Sequence, residues 1–559
     1  MRSAASRANS LAQDAAPTTA PASADRRLSI AIFGAACLLA MLGLARVALY
    51  YPDDAYITLR YVSRLLAGDG LTWNPGERVE GFTHPLWLAQ VAALGALGLD
   101  LQSATRVLGV AYLAALFALW WRARASPLLL LVLATQPAVV LWAGSGLETV
   151  AFAFWIALGA WLVQQALWAA REPAVRRRAV YAGLALAAAT LTRPEGFGVA
   201  MLAAVLLLAG RGLRPAWLLL AVFGAIVVSY EVFRLAYFGD WLPNTAYVKI
   251  GGAHIYSAVL AGLDYIAGFI KVWIAAAIAI GVALACAQGP RPTAMLALTL
   301  PLLAAILTAG GDHMIQARFL VPVIVVLTFS AGVAGRRGFR HGTLVLLVVV
   351  VVAVVQFARL TSKPVRSDPA ELVGEQVGRF LQAHLPAGSL VAVSTAGSTP
   401  YFAPSLSFID MLGLNDRTIA HRTIGEQKTV WQWLPGHGKG DGTYILQRGP
   451  DVILLGPADG YSGDDPTHWF LSDYELLTNP EFHDRYERYV FLVPVPLDVA
   501  RERPYAFLGE REPLLIITAY LRKDSPAAAQ LRPSGLPAPR PIVPTADYDA
   551  FRRAEADAG

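Results

Sequence analysis

The sequence predicts a mainly α-helical protein that crosses a membrane many times and carries a small α/β domain near its carboxyl end. Three observations predict it. Of 559 residues, 56% are hydrophobic and only 15% charged, and the mean hydropathy is +0.48. Apolar stretches long enough to span a bilayer recur along the chain, Leu344 to Leu360 among them. After about residue 365 this gives way to short strand-like runs between polar and helical segments.

The net charge of +6 is not a nucleic-acid footprint, because the basic residues fall in short clusters between apolar spans. Cys37 and Cys286 lie inside apolar spans, allow at most one disulfide and say little about redox compartment.

Taken in order, residues 1–27 are rich in Ala, Ser, Pro and Thr and read as a disordered cytoplasmic tail. Leu28 to Tyr50 is too long for a signal-peptide core and lacks a small-x-small cleavage site, so it reads as an uncleaved first span. A polar loop occupies 51–85. In 86–121 the apolar pattern is interrupted by Asp100, Gln102 and Arg106, which leaves one crossing plus a re-entrant or interfacial piece. Further spans are expected near 128–143, 149–170, 179–192, 197–210, 215–238, 258–285, 293–309, 319–335 and 342–361. The clusters at Arg26-Arg27, Arg122/Arg124, Arg171 to Arg178, Arg211/Arg214, Arg291 and Arg336 to Arg340 are placed in the cytoplasm by the positive-inside rule. That gives about eleven crossings, amino terminus inside and carboxyl terminus outside.

The membrane unit thus covers 28–364 and an α/β domain 365–525, with a helix over Glu371 to Leu385. Its strands are expected at Leu390 to Ser394, Val452 to Leu455, Tyr489 to Val493 and Leu514 to Ala519. Residues 526–559 read as a flexible Pro-rich tail. No internal repeat is found, which argues against an inverted-repeat transporter.

This topology gathers five polar turns on the outer face: the 51–85 loop, Ser145 to Glu148, Thr192 to Glu195, Leu242 to Lys249 and Gly310 to Arg318. Asp53 and Asp54 follow Pro52 and open an amphipathic helix to Ala67, stopped by Gly68 and Gly70. They have structural readings, a helix cap or, for Asp53, an ion-pair row with Arg60 and Arg64 on one stripe. Capping needs only one carboxylate. A carboxylate at the lip of a membrane cavity can take a proton from a hydroxyl that attacks an anomeric carbon, and Asp54 is the first candidate, Asp53 the second. Glu77 and Glu80 follow the turn at Asn74-Pro75-Gly76 and are candidates for positioning acceptor hydroxyls, or else a solvated charged loop. His84 enters the next helix as a substrate contact or a structural cap.

Glu148, Arg193 and Glu195 lie at span ends, where charge is costly unless paired or hydrated, and they are substrate-binding candidates or a structural cluster. Arg318, with Lys249, suits a lipid phosphate; the plain alternative for Arg318 is interfacial snorkelling. Asp312 and His313 complete the substrate-binding candidates. Adjacent side chains rarely chelate a divalent ion alone, and no His-x-x-x-His or Cys spacing accompanies them, so no metal or other cofactor is assigned. Neither a Walker A sequence, a Gly-x-Gly-x-x-Gly after a strand nor a Gly-x-Ser-x-Gly elbow is present, consistent with a donor that arrives in the bilayer.

Asp53-Asp54-Ala55, Leu59-Arg60-Tyr61, Leu65 to Gly70, Asn74 to Glu80 and Thr83 together resemble the first outer loop of GT-C glycosyltransferases. Within that superfamily the likeness is to the terminal β-(1→2) arabinofuranosyltransferases of the mycobacterial cell wall. Ser145 to Glu148, Arg193 to Glu195, Leu242 to Thr245 and Gly310 to Asp312 with Arg318 recur in order, so the resemblance covers most of 50–320. It implies a GT-C fold, a catalytic carboxylate at Asp53 or Asp54 and a polyprenyl-phosphate sugar donor such as decaprenyl-phosphoryl arabinofuranose. It also implies transfer to a cell-envelope glycan or protein at the outer face of a bacterial plasma membrane. The Gly81-Phe82-Thr83-His84 segment departs from the mycobacterial pattern, which leaves the acceptor and the sugar open. Asp410 to Leu414, Asp416 and Gly436 to Lys439 resemble the family without an assignable role. The competing functions are a transporter or flippase of lipid-linked sugars, a non-catalytic glycan-binding membrane protein, and a hydrolase that uses water as acceptor.

Overall fold

The computed structural model describes residues 23–250, 255–362, 368–425, 427–434, 436–496, 506–508 and 513–538. Helix α1 (Ser23–Arg46) begins inside the stretch expected to be a disordered tail, because Arg26 and Arg27 continue the apolar helix rather than break it. The remaining helices of the membrane unit follow in chain order. They are α2 (Asp53–Ala67), α3 (Pro85–Ala96), α4 (Leu101–Arg122), α5 (Pro127–Ala134), α6 (Pro137–Gly144), α7 (Thr149–Trp168), α8 (Glu172–Thr192) and α9 (Gly196–Arg211). Then come α10 (Leu213–Tyr237), α11 (Asn244–Ile250), α12 (Ile255–Cys286), α13 (Thr293–Ala297), α14 (Leu300–Ala309), α15 (Val321–Ala334) and α16 (Gly342–Ser362).

Six of the described helical segments are long and apolar enough to cross a membrane, and eight if two bent pairs each count as one span. One pair is α5 and α6, which meet at 64°. Pro137 explains that break: it disfavours a helical conformation at Gln136, which is extended at φ −71°, ψ 115°. The ambiguous 86–121 segment is a short helix, α3, followed by the span α4. Its polar interruptions have local partners. Asp100 caps α4 by accepting from the Ser103 amide, Gln102 donates to the Tyr56 hydroxyl, and the Arg106 guanidinium lies 5.3 Å from the Tyr51 ring centroid.

Beyond α16, α17 (Pro369–His384) is followed by a sheet of seven strands. These are β1 (Leu390–Val393), β2 (Ser407–Asp410), β3 (Val452–Ile453), β4 (Tyr486–Pro494), β5 (Ala506–Leu508), β6 (Pro513–Arg522) and β7 (Leu536–Pro537). The order is β2-β1-β3-β6-β4-β7, with β5 beside β6. β2, β1 and β3 run parallel, Val391 pairing with Phe408 and Val452, and the rest of the sheet is antiparallel. Sequence patterning misses β2, whose four residues show too little alternation to stand out. Residues 526–538, expected as the start of a flexible tail, are instead folded. Ser525 caps the helix Pro526–Leu531, which buries Ala528 and Leu531, and Leu536 and Pro537 pair with β4 as β7. The rest of that expected tail lies outside the described residues.

The α/β region is fastened to the membrane unit by buried polar contacts on α2 and its loop. Arg60 donates to the carbonyls of Trp73 (2.8 Å), Leu406 (3.1 Å) and Pro400. The Asn74 side chain pairs with both backbone groups of Phe408 in β2, at 2.6 and 3.0 Å. Asn244 donates to the carbonyls of Gly413, Leu414 and Asp416. That turn is itself organised by Asp410, whose carboxylate accepts from the amides of Leu412, Gly413 and Asn415. The Asp410 to Asp416 motif is therefore a docking turn.

Candidate active site

The five polar turns meet at a cavity of about 710 Å³ between the helix ends and the α/β region. Its membrane-side wall contains Asp54, His84, Glu148, Arg193, Lys249 and Arg318.

Helix α2 sets the two aspartates apart. Pro52 is its extended N-cap, and no side chain caps the helix, so neither Asp serves the capping role. Gly68 ends it in the left-handed conformation at φ 89°. Successive helical residues point about 100° apart. Asp53 consequently turns to the α/β region, where its carboxylate accepts from the Ser398 hydroxyl (2.5 Å), the Ser398 amide (2.7 Å) and the Gly397 amide (3.1 Å). The backbones approach so closely that a Cβ on Gly397 would collide with the Asp53 carbonyl. Burial pushes Asp53 up to about 7, against the pull of the Ser398 hydroxyl and amide. These contacts occupy Asp53 as a tether, whereas the Asp54 side chain is open to the cavity. The expected ion-pair row is also absent: Arg60 holds carbonyls, and Arg64 pairs with Asp69 at 3.2 Å.

The Asp54 side chain is 40% exposed and lies 3.9 Å from the Arg318 guanidinium. Arg318 also pairs with Asp312 at 3.1 Å, and Asp312 accepts from the Tyr265 hydroxyl. Before Arg318 the backbone takes left-handed φ values of 59° at Gln316 and 45° at Ala317. Non-glycine residues rarely adopt these, and such strain collects where a side chain must be aimed. Lys249, on α11, lines the same wall and is exposed to the cavity. Desolvation by the walls and the nearby Arg193 and Arg318 lower its pKa.

A second chain of groups runs beside this one. Thr58 and His84 share a hydrogen bond of 2.6 Å, and the other ring nitrogen of His84 is 3.9 Å from Glu148. Arg193 bridges Glu148 at 2.8 Å and Glu195 at 2.7 Å. Burial opposes ionisation of Glu148, yet its positive neighbours hold it at about 2. Because burial also lowers His84 toward the neutral ring, Arg193 and Arg318 are the dependable counter-charges.

The structure thus brings Asp54, His84, Glu148, Arg193, Lys249, Asp312, His313 and Arg318 to one cavity, with Asp53 at its edge. It does not bring the other three there. Glu80 is buried against Arg234 (2.6 Å) and Tyr230 (2.6 Å), Glu77 binds Asn74 and Arg448, and Glu195 sits behind Arg193. The turn at Asn74 folds the two loop glutamates back toward α10 and the α/β region, away from the cavity lining. Sequence reasoning missed Asp368, which lines the cavity and accepts from the Asp53 amide. The Asp-Pro pair at the start of α17 signals only a helix cap, and Asp368 does accept from the Ala370 amide. Among the described residues, no group of three or more His, Cys, Asp or Glu is placed to hold a metal ion.

Comparison with known proteins adds three findings. Residues 363–501 match the family model of a domain of unknown function (DUF8728). The chain is similar to the terminal β-(1→2)-arabinofuranosyltransferase of Mycobacterium tuberculosis, 31% identical over 241 residues, or 39% of this chain and 38% of that protein. It is also similar to that of Corynebacterium glutamicum, 28% identical over 352 residues, or 50% of this chain and 47% of that protein. The chain therefore spans less than half the length of either relative it matches. A crystal structure of ArnT from Cupriavidus metallidurans in the apo state aligns with a TM-score of 0.49 at 15% identity, covering 69% of this chain and 86% of that one.

Proposed function

We propose that this chain is a GT-C membrane glycosyltransferase. It moves a sugar, arabinofuranose on the analogy of its relatives, from a polyprenyl phosphate to an acceptor hydroxyl at the outer face of a bacterial plasma membrane. The observation that carries the reading is the pairing of an open carboxylate, Asp54, with a cationic wall of Arg318 and Lys249 in one cavity. In the reaction, Asp54 takes the proton as the acceptor oxygen bonds to the anomeric carbon. The bond from that carbon to the phosphate oxygen breaks, and its electron pair leaves with the polyprenyl phosphate. Arg318 and Lys249 offset the charge gained there. His84, Glu148 and Arg193 shape the sugar side, and Asp312 steadies Arg318. The outward orientation of the site is part of the same proposal.

The test compares membranes carrying wild type or Asp54→Asn, each supplied with radiolabelled polyprenyl-phosphoryl arabinofuranose and cell-envelope acceptor. Wild type is expected to move label into acceptor, and the variant to lose about 10²–10⁴-fold in rate. Equal rates would remove Asp54 from the role of base. Movement of intact donor across the bilayer without transfer would favour the flippase reading.

A further inference from the structure

We propose that the α/β region supplies the acceptor subsite of this cavity. In it, Trp469 and Ser394 bind an uncharged sugar ring of the acceptor; the inference rests on the transferase reading above. Three observations lead to it. First, the parallel strands β2, β1 and β3 all point their carboxyl ends at the cavity, which is lined by Leu412 and Leu414 after β2, Ser394 to Ala396 after β1, and Gly456 to Ala458 after β3. The carboxyl edge of parallel strands is where α/β sheets generally bind ligands, because loops there can vary without disturbing the sheet.

Second, the two walls of the cavity differ in charge. The membrane-side wall carries Asp54, Lys249, Arg318 and their neighbours. The α/β region adds one carboxylate, Asp368, beside Asp53 at the membrane-side edge; from Ala370 onward the described lining residues include no Asp, Glu, Lys or Arg, and His437 is the one titratable group. An anionic donor head fits the first wall, and a polyhydroxylated, uncharged ligand fits the second.

Third, this wall offers a fixed aromatic plane and polar groups without partners. Trp469 stacks on Trp431 at 5.7 Å and 11°, and it packs against Gly456, where an added Cβ would meet the indole at 2.9 Å. Gly456 has φ 69°, so both its shape and its backbone favour glycine. An indole held this way loses little freedom on stacking against a sugar face. The Trp469 Nε1 and the hydroxyl of Ser394, a residue only 6% exposed, find no hydrogen-bond partner among the described residues. Buried polar groups without partners are rare, and both residues line the cavity.

The experiment uses the full chain purified in detergent and a neutral arabinofuranosyl oligosaccharide as probe, with binding read by calorimetry. Trp469→Ala is expected to weaken binding by about tenfold or more, and Trp469→Phe to restore much of it. Ser394→Ala should weaken it by several-fold. Release of labelled sugar from the donor to water should remain within about twofold of wild type in Trp469→Ala, while KM for the oligosaccharide rises. No binding by wild type, unchanged binding in Trp469→Ala, or loss of donor hydrolysis in Trp469→Phe would each overturn the assignment. Trp469-dependent binding with no donor turnover in wild type would leave the sugar subsite standing and reject the transferase reading.

Discussion

Asp53 and Asp54 are adjacent and chemically identical, yet one is enclosed by amides and the other faces an open cavity. Their tests differ accordingly. The folded value of about 7 for Asp53 lies above its unfolded value of 3.8, so between those limits the folded state binds more protons than the unfolded. Stability from this group is therefore fullest at low pH and declines as pH rises through that window. Asp53→Asn cannot ionise, and it also loses part of the acceptor set for Gly397 and Ser398. The variant is expected to be less stable than wild type at pH 5, with the gap narrowing by pH 8, measured by thermal unfolding in detergent; a widening gap would contradict the buried, protonatable tether. Arg193 makes the opposite case. Arg193→Ala leaves the buried Glu148 and the half-buried Glu195 without their shared cation and is expected to cost about 3–5 kcal/mol. Removing all three charges together as Arg193→Met, Glu148→Gln and Glu195→Gln should recover most of that loss, read from the same unfolding curves.

At the scale of the element, α2 faces the cavity with Asp54 and the α/β region with Tyr56 and Arg60. Tyr56 donates to Glu371 at 2.9 Å. Among the described residues Arg60 hydrogen-bonds to carbonyls, so its planar fork matters more than its charge. Arg60→Lys preserves the charge but cannot reach three diverging carbonyls. With charge-assisted hydrogen bonds contributing about 1.5–3 kcal/mol each, a loss of roughly 3 kcal/mol is expected from equilibrium unfolding. A neutral result would show that the α2 docking does not depend on this residue. The amphipathic helix, its Gly stop and the polar character of 51–85 were all legible in the sequence. The destinations of its side chains were not. Arg60, Asn74 and Glu80 look like surface groups until a segment more than three hundred residues away, or in the case of Glu80 the helix α10, closes over them.

In the whole molecule, local signals located the apolar segments, because hydropathy over a window of bilayer length needs no knowledge of partners. The same signals located the wall of Asp54, Arg318 and Lys249, since charge at span ends stands out. What they could not locate is anything made by joining distant parts: Asp368 beside Asp53, Ser398 as its tether, or Trp469 lining the same cavity as Arg318. Those contacts make the α/β region part of the cavity, and that has a consequence distinct from the sugar subsite. Ending the chain at Ser362 would remove Asp368, Ser398 and two of the three carbonyl partners of Arg60, those of Pro400 and Leu406, together. The buried face of α2, with Tyr56, Arg60 and Tyr61, would then meet water, and Asp54 would lose its fixed distance from Arg318. Such a chain is therefore expected to lose donor hydrolysis as well as transfer, whereas Trp469→Ala loses acceptor affinity alone. Both can be measured with the labelled donor in the same membranes. A truncated chain that is inserted, stable and still hydrolyses donor at the wild-type rate would mean that α2 is held by the membrane helices alone, and that the α/β region serves only the acceptor.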